Sequence, residues 1–205
     1  MAADKKPLAR LRGVWATLAV LALAVLAWSS PALAAGLIYD RTLILEGEWW
    51  RIWTGHIVHF GRSHLFWDLM VFLPTACWLE HSWPKLARWF FVGCPLAISA
   101  GLLVFAPGLG RYAGLSGLAT GVVVLLAGQL LRTEQGGRRW LLAGVLALVG
   151  AKIGHELVSG APLVVTDFGD KVRTVPLAHL GGALCGLAGL LAGGMRPARG
   201  RANRA

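Results

Sequence analysis

Charge is scarce in this chain. Only 15% of its 205 residues are charged, while 56% are hydrophobic. An ordinary soluble domain carries about a quarter charged residues. The scarcity excludes that class, and several apolar runs are long enough to cross a bilayer, so the chain reads as one polytopic, all-α membrane domain. Acidic residues are scarcer still: 10 Asp or Glu stand against 20 Lys or Arg, a net charge of +10. The basic residues gather at the ends of apolar runs. That pattern points to positive-inside anchoring in a lipid bilayer rather than to nucleic acid. Cysteine is nearly missing. Cys77, Cys94 and Cys185 lie far apart in apolar segments with no CxxC, which excludes a disulfide framework or a cysteine zinc site. They read as small packing residues. The second histidine of a zinc-protease HExxH is also missing: His155-Glu156 opens the motif, but Ser159 stands where that histidine belongs.

What is present is a series of apolar runs. Residues 1–13 form a basic N-terminus with Lys5, Lys6, Arg10 and Arg12. The run from Val14 to about Ala35 ends in Ala32-Leu33-Ala34, which imitates a signal peptide and its cleavage site. It is longer than a usual signal core, so an uncleaved first transmembrane helix is expected. Residues 36–63 mix Asp40, Arg41, Glu46, Glu48, Arg51 and Arg62 with Trp49, Trp50 and Trp53. Tryptophan beside charge suits the headgroup region, so a partly helical interfacial loop is expected. Further helices are expected at about His64–Leu79, Trp89–Ala106, Ser116–Leu131, Trp140–Leu157 and Pro176–Gly194. Glu80 is expected to cap or pair near Lys85 or Arg88. A basic tail, 196–205, carries Arg196, Arg199, Arg201 and Arg204. With the N-terminus in the cytoplasm, inside segments hold thirteen Lys or Arg and outside loops six, with Lys152 inside a helix. This bias predicts six crossings over 14–195 with both ends inside.

The stretch Arg111-Tyr112-Ala113-Gly114-Leu115-Ser116-Gly117 sets one serine between two glycines, where a polar turn meets an apolar run. A helix over Ser116–Leu131 is about 24 Å long, short of the roughly 30 Å hydrocarbon layer. If Arg132 pins its inner end, Ser116 begins the helix below the outer surface, beside free N–H groups and the positive end of the dipole. Either Ser116 is an N-cap and the glycines serve packing, or the hydroxyl is a nucleophile.

A nucleophile needs a base. His179 lies about a turn into the last helix, at a matching depth. Ala178, Gly182 and Gly186 make a small-residue stripe on that helix, and Gly117 and Gly121 make another on the serine helix. Packing the stripes together would draw Ser116 and His179 within hydrogen-bond reach. Acyl transfer also needs oxyanion donors. The Ser116 N–H is one. His64 is another, one turn before Asp68 on the same helix face. Asp68 acts either as a protonated donor or by orienting His64 or water. His56 and His59 are expected to make interfacial hydrogen bonds. Lys152, His155 and Glu156 form a polar cluster near the outer end of the fifth helix.

These residues resemble the rhomboid intramembrane serine proteases, from about Glu48 to Gly186. Trp50-Arg51 resembles the family's first-loop WR motif. His59 with His64-xxx-Asp68 resembles its HxxxN, with the last residue changed. Gly114-Leu115-Ser116-Gly117 is similar to its GxSG, and Ala178-His179-xx-Gly182-xxx-Gly186 to its AHxxGxxxG. The resemblance implies a six-helix bundle and a Ser116–His179 dyad without metal or cofactor. It implies an oxyanion hole from Ser116 and His64, with Asp68 where the family has Asn. It also implies a substrate gate at the fifth helix. The first loop and Tyr112-Ala113-Gly114-Leu115-Ser116-Gly117 look most like the rhombosortase branch. That implies a bacterial inner-membrane enzyme open to the periplasmic side. Its substrates would carry a C-terminal Gly-Gly, a transmembrane helix and a basic tail. The alternatives are a general rhomboid protease of single-span substrates, a catalytically silent helix-binding relative, and a transporter or structural bundle.

Overall fold

Proline and glycine place most helix ends. Residues 13–160 and 174–192 are described by the computed structural model; the basic N-terminal segment, most of the 158–175 loop and the arginine tail lie outside them. Helix α1 spans Trp15–Ser29 and α2 spans Pro31–Leu37. The first run is therefore not one straight helix: α1 and α2 meet at a 118° bend. Pro31 cannot continue the ladder, but it suits the first turn of a new helix. Ser30 caps that turn by accepting from the Leu33 N–H. Ala32-Leu33-Ala34 lies within α2.

The first loop is a built structure. Strand β1, Tyr39–Asp40, precedes α3, Arg41–Leu45, and α4, Arg51–Thr54, which runs into a 3-10 turn at Gly55–Ile57. Strand β2, Arg111–Tyr112, pairs antiparallel with β1, Tyr39 facing Tyr112 and Asp40 facing Arg111. This short ladder ties the first loop to the segment that enters the serine helix. Asp40 accepts from Arg111 Nε at 3.0 Å and from the Thr42 and Leu43 amides that open α3. Partial burial pushes its carboxyl up, but Arg111 and the two amides outweigh that and hold it below the usual carboxylate range.

Helix α5 spans Arg62–Ser82 and α6 spans Pro84–Phe105. The latter begins five residues earlier than the hydropathy suggested, because Pro84 occupies its first turn and Lys85 and Arg88 lie on helix rather than loop. Helix α7 spans Ser116–Leu131, as expected. Helix α8 spans Gly136–Ser159, and α9 spans Pro176–Ala192. By length and composition, α6 and α8 can each cross a membrane, and the bent α1–α2 pair counts as a third. Helices α7 and α9 are apolar but short.

The core centres on α7, which is sheathed by α5, α6 and α9 and buries Leu118, Val122 and Leu125. Glu80, fully buried near the end of α5, joins the front of α1 to this core. It accepts from the Ala16 and Thr17 amides, the Thr17 hydroxyl and Arg88 Nε. Both parts of the expectation for Glu80, capping and pairing, meet on one carboxylate. Many large apolar side chains face outward, Trp89 and Trp140 at 78% exposure among them. So much exposed apolar surface suits contact with lipid.

Candidate active site

Ser116 is the first residue of α7. Leu115, not Ser116, occupies the N-cap position, and no side chain caps the helix there. The serine hydroxyl is thus not consumed as a cap. Its Oγ lies 3.0 Å from Nε2 of His179, across a separation of 63 residues. Ser116 is half-buried and His179 is buried. The distance is that of a serine hydroxyl donating to an unprotonated imidazole nitrogen.

The approach depends on missing side chains. A methyl group on Gly117 would meet the Ala178 carbonyl at 2.9 Å, and one on Gly121 would meet the Gly182 carbonyl at 2.7 Å. From the other side, a methyl on Gly186 would meet the Gly121 carbonyl at 2.7 Å, and one on Gly182 would strike the Gly117 carbonyl. The two stripes interlock backbone to backbone. That places the first residue of α7 beside the first turn of α9.

The second face of the site is the turn at Gly114. This residue has φ +123°, a conformation that side chains oppose. A Cβ there would also lie 2.6 Å from His64 Nε2 and 3.2 Å from Asp68 Oδ2. Gly114 therefore lets the His64–Asp68 pair reach the turn just before Ser116. Asp68 Oδ2 lies 3.3 Å from His64 Nε2 and 3.2 Å from His59 Nε2. His59 Nδ1 faces the Ile57 carbonyl at 3.2 Å. The Leu115 N–H donates to His59 Nε2 at 3.4 Å, so His59 and Asp68 together meet the turn that precedes Ser116. His59 is thus part of the support under His64, more than the loop hydrogen-bonder expected from its position. His56 is buried and bonds within the protein: Ser99 Oγ donates to the Ile52 carbonyl, and His56 Nε2 donates to Ser99 Oγ at 3.0 Å.

Trp50 and Arg51 lie away from the reacting atoms and do a different task. A helix ends with carbonyls that lack intrahelical partners. At the end of α2, Arg51 Nη1 donates to the Ala35 and Ile38 carbonyls at 3.0 and 2.8 Å. Trp50 Nε1 takes Gly36 at 3.0 Å, and Thr54 Oγ1 takes Leu37 at 2.6 Å. Four successive carbonyls are satisfied by one turn of α4. Trp53 Nε1 donates to the Phe91 carbonyl, which Pro95 leaves without its usual helical partner. The loop's tryptophans and arginine thereby lock α2 and α6 around the site.

One residue of the site was not singled out from the sequence for it. Glu156 Oε2 lies 2.6 Å from Nδ1 of His179, and Glu156 Oε1 lies 2.7 Å from Nζ of Lys152. The polar cluster expected on the fifth helix forms from Lys152 and Glu156, joined by His179. His155 instead pairs with Ser159 on its own helix. The available signal was an i, i+4 charge pair inside an apolar helix, but its target lies on another helix.

No curated protein matches the chain. The Rhomboid domain matches residues 46–195, a stretch that holds the first-loop lock, the His64–Asp68 pair, Ser116 and His179. The chain belongs to the rhomboid family, whose members are intramembrane serine proteases.

Proposed function

We propose that this chain is a serine endopeptidase of the membrane in which His179 activates Ser116. The observation that carries the reading is the 3.0 Å approach of Ser116 Oγ to His179 Nε2 at the mouth of two interlocked helices. Nε2 takes the hydroxyl proton as Oγ attacks the scissile carbonyl carbon. The oxyanion develops where the Ser116 N–H and the His64 side chain supply donors, aided by the positive end of α7. The tetrahedral intermediate collapses, the C–N bond breaks, and His179 returns the proton to the leaving amine. A water, or an amine in a transfer reaction, gives its proton to His179 and attacks the acyl-enzyme. Serine is then regenerated. Asp68 supports His64 directly, its Oδ2 lying 3.3 Å from His64 Nε2.

The reading includes six crossings, by α1, α5, α6, α7, α8 and α9, with the first loop in the interface and both ends in the cytoplasm of a bacterium. The site then opens to the outer face of the inner membrane. The first-loop and serine-turn sequences favour a rhombosortase-like substrate: an exported protein tethered by a C-terminal Gly-Gly, a single helix and a basic tail. The test is cleavage of such a reporter by the purified chain in proteoliposomes, run beside a single-span reporter lacking Gly-Gly. Cleavage of the Gly-Gly reporter alone is the expected result. Equal cleavage of both makes the chain a general rhomboid protease. Cleavage of neither, with reporters correctly inserted, removes the peptidase reading.

A further inference from the structure

Helix α8 buries only Ile153 and Glu156 among its described residues. Burying a carboxylate on a helix that otherwise faces outward is costly unless the group has partners and a task. Glu156 is 1% exposed and reaches His179 Nδ1 at 2.6 Å, the length of a charge-assisted hydrogen bond. Lys152 Nζ lies 3.1 Å from the same Nδ1. One ring nitrogen cannot both donate to the carboxylate and accept from the ammonium. The shorter contact belongs to Glu156, and Lys152 has a better acceptor in Glu156 Oε1 at 2.7 Å. Nδ1 therefore carries the hydrogen and donates it to Glu156, which leaves the Nε2 lone pair facing Ser116.

We propose that Glu156 is a positioning residue that fixes the tautomer and ring orientation of His179, with Lys152 holding its second oxygen. The inference rests on the peptidase reading above and extends its serine–histidine pair to a serine–histidine–glutamate array across three helices. Without Glu156 the imidazole is free to place its hydrogen on Nε2, where it cannot take the serine proton. With it, the imidazolium formed during attack faces a carboxylate. Lys152 is more exposed than Glu156, its side chain at 31%, so the charge pair leads outward from the site.

The test uses the full-length protein in detergent or proteoliposomes with a cleaved transmembrane reporter. Glu156→Ala is expected to lower kcat by about 100-fold or more with KM little changed. Glu156→Asp is expected to recover part of that loss. Nitrogen-15 spectra of histidine-labelled protein, with His179 assigned by its loss in His179→Asn, report the tautomer directly. The wild type should show Nδ1 protonated, and Glu156→Ala should show the Nε2-protonated form. A wild-type kcat with an unchanged tautomer in Glu156→Ala overturns the inference. If that variant does not accumulate, Glu156→Gln decides: it loses the charge, and its amide can turn an N–H to Nδ1, which favours the Nε2-protonated ring. A loss of about tenfold or more in kcat is expected there, and wild-type kcat overturns the inference. Ser116→Ala runs alongside. Cleavage that survives Ser116→Ala removes the peptidase reading itself. Cleavage lost in Ser116→Ala but intact in Glu156→Ala removes only the role of Glu156.

Discussion

Ser116 and His179 meet because each is a polar residue at the N-terminal end of an apolar helix, and each has a partner in the other. His179→Ala leaves the serine hydroxyl without an acceptor for its proton. Reporter cleavage is expected to fall at least about 1,000-fold while the protein still purifies in folded form. Asp68 makes a finer test. Asp68 Oδ2 faces both His59 Nε2 and His64 Nε2, and an Asn amide supplies its own N–H at that place. Asp68→Asn is therefore expected to stay within about tenfold of wild-type kcat, and abolished turnover excludes a donor role for position 68. The serine, the histidine and the pairing of His64 with Asp68 were legible from local spacing, since a turn motif and an i, i+4 pair need no knowledge of the rest of the chain. Glu156 was visible only as half of a charge pair with Lys152. Its acceptor role is set by the packing of α8 against α9, which residue order does not encode locally.

Helices α7 and α9 are held together by carbonyls seated against glycines, and that contact sets the Ser116–His179 distance. A methyl at position 182 strikes the Gly117 carbonyl. Backbone has little room to yield there, so Gly182→Ala is expected to cost about 1–3 kcal/mol by thermal unfolding, and kcat is expected to fall with it. Unchanged stability together with unchanged kcat contradicts the packing argument. The stripes themselves were readable as four-residue repeats of small residues, and so was the start of α7. Other features were less so. The bend between α1 and α2 follows from Ser30-Pro31, a cap followed by a first-turn proline, hidden inside a run whose hydropathy is continuous. The β1–β2 ladder joins residues about seventy positions apart and only two residues long, too short for an alternating pattern to show. Hydropathy sets the helix starts at Pro84 and Gly136 too late, because it drops where basic residues continue the helix.

Across the whole molecule, the first loop is tied to the serine turn at Asp40. Asp40 caps α3 and pairs with Arg111 beside the serine turn. Its carboxyl sits below the usual range when folded, so the stability it contributes is complete above its ordinary pKa, about 4, and is lost as pH falls through the lower folded value. Asp40→Ala is expected to lower stability by about 1 kcal/mol at neutral pH, with a gap to wild type that narrows as the pH drops below about 4. Thermal unfolding in detergent at pH 7 and pH 3 reads both values, and a gap that is constant or widens in acid contradicts the assignment. The account as a whole stands on a serine made nucleophilic by an imidazole from another helix. The direct measurement is labelling by a fluorophosphonate, with the modified residue located by mass spectrometry in the wild type, Ser116→Ala and His179→Ala proteins. The account predicts one adduct on Ser116, none in Ser116→Ala, and labelling that is slowed or lost in His179→Ala. An adduct on another serine, or equal labelling in all three proteins, contradicts it.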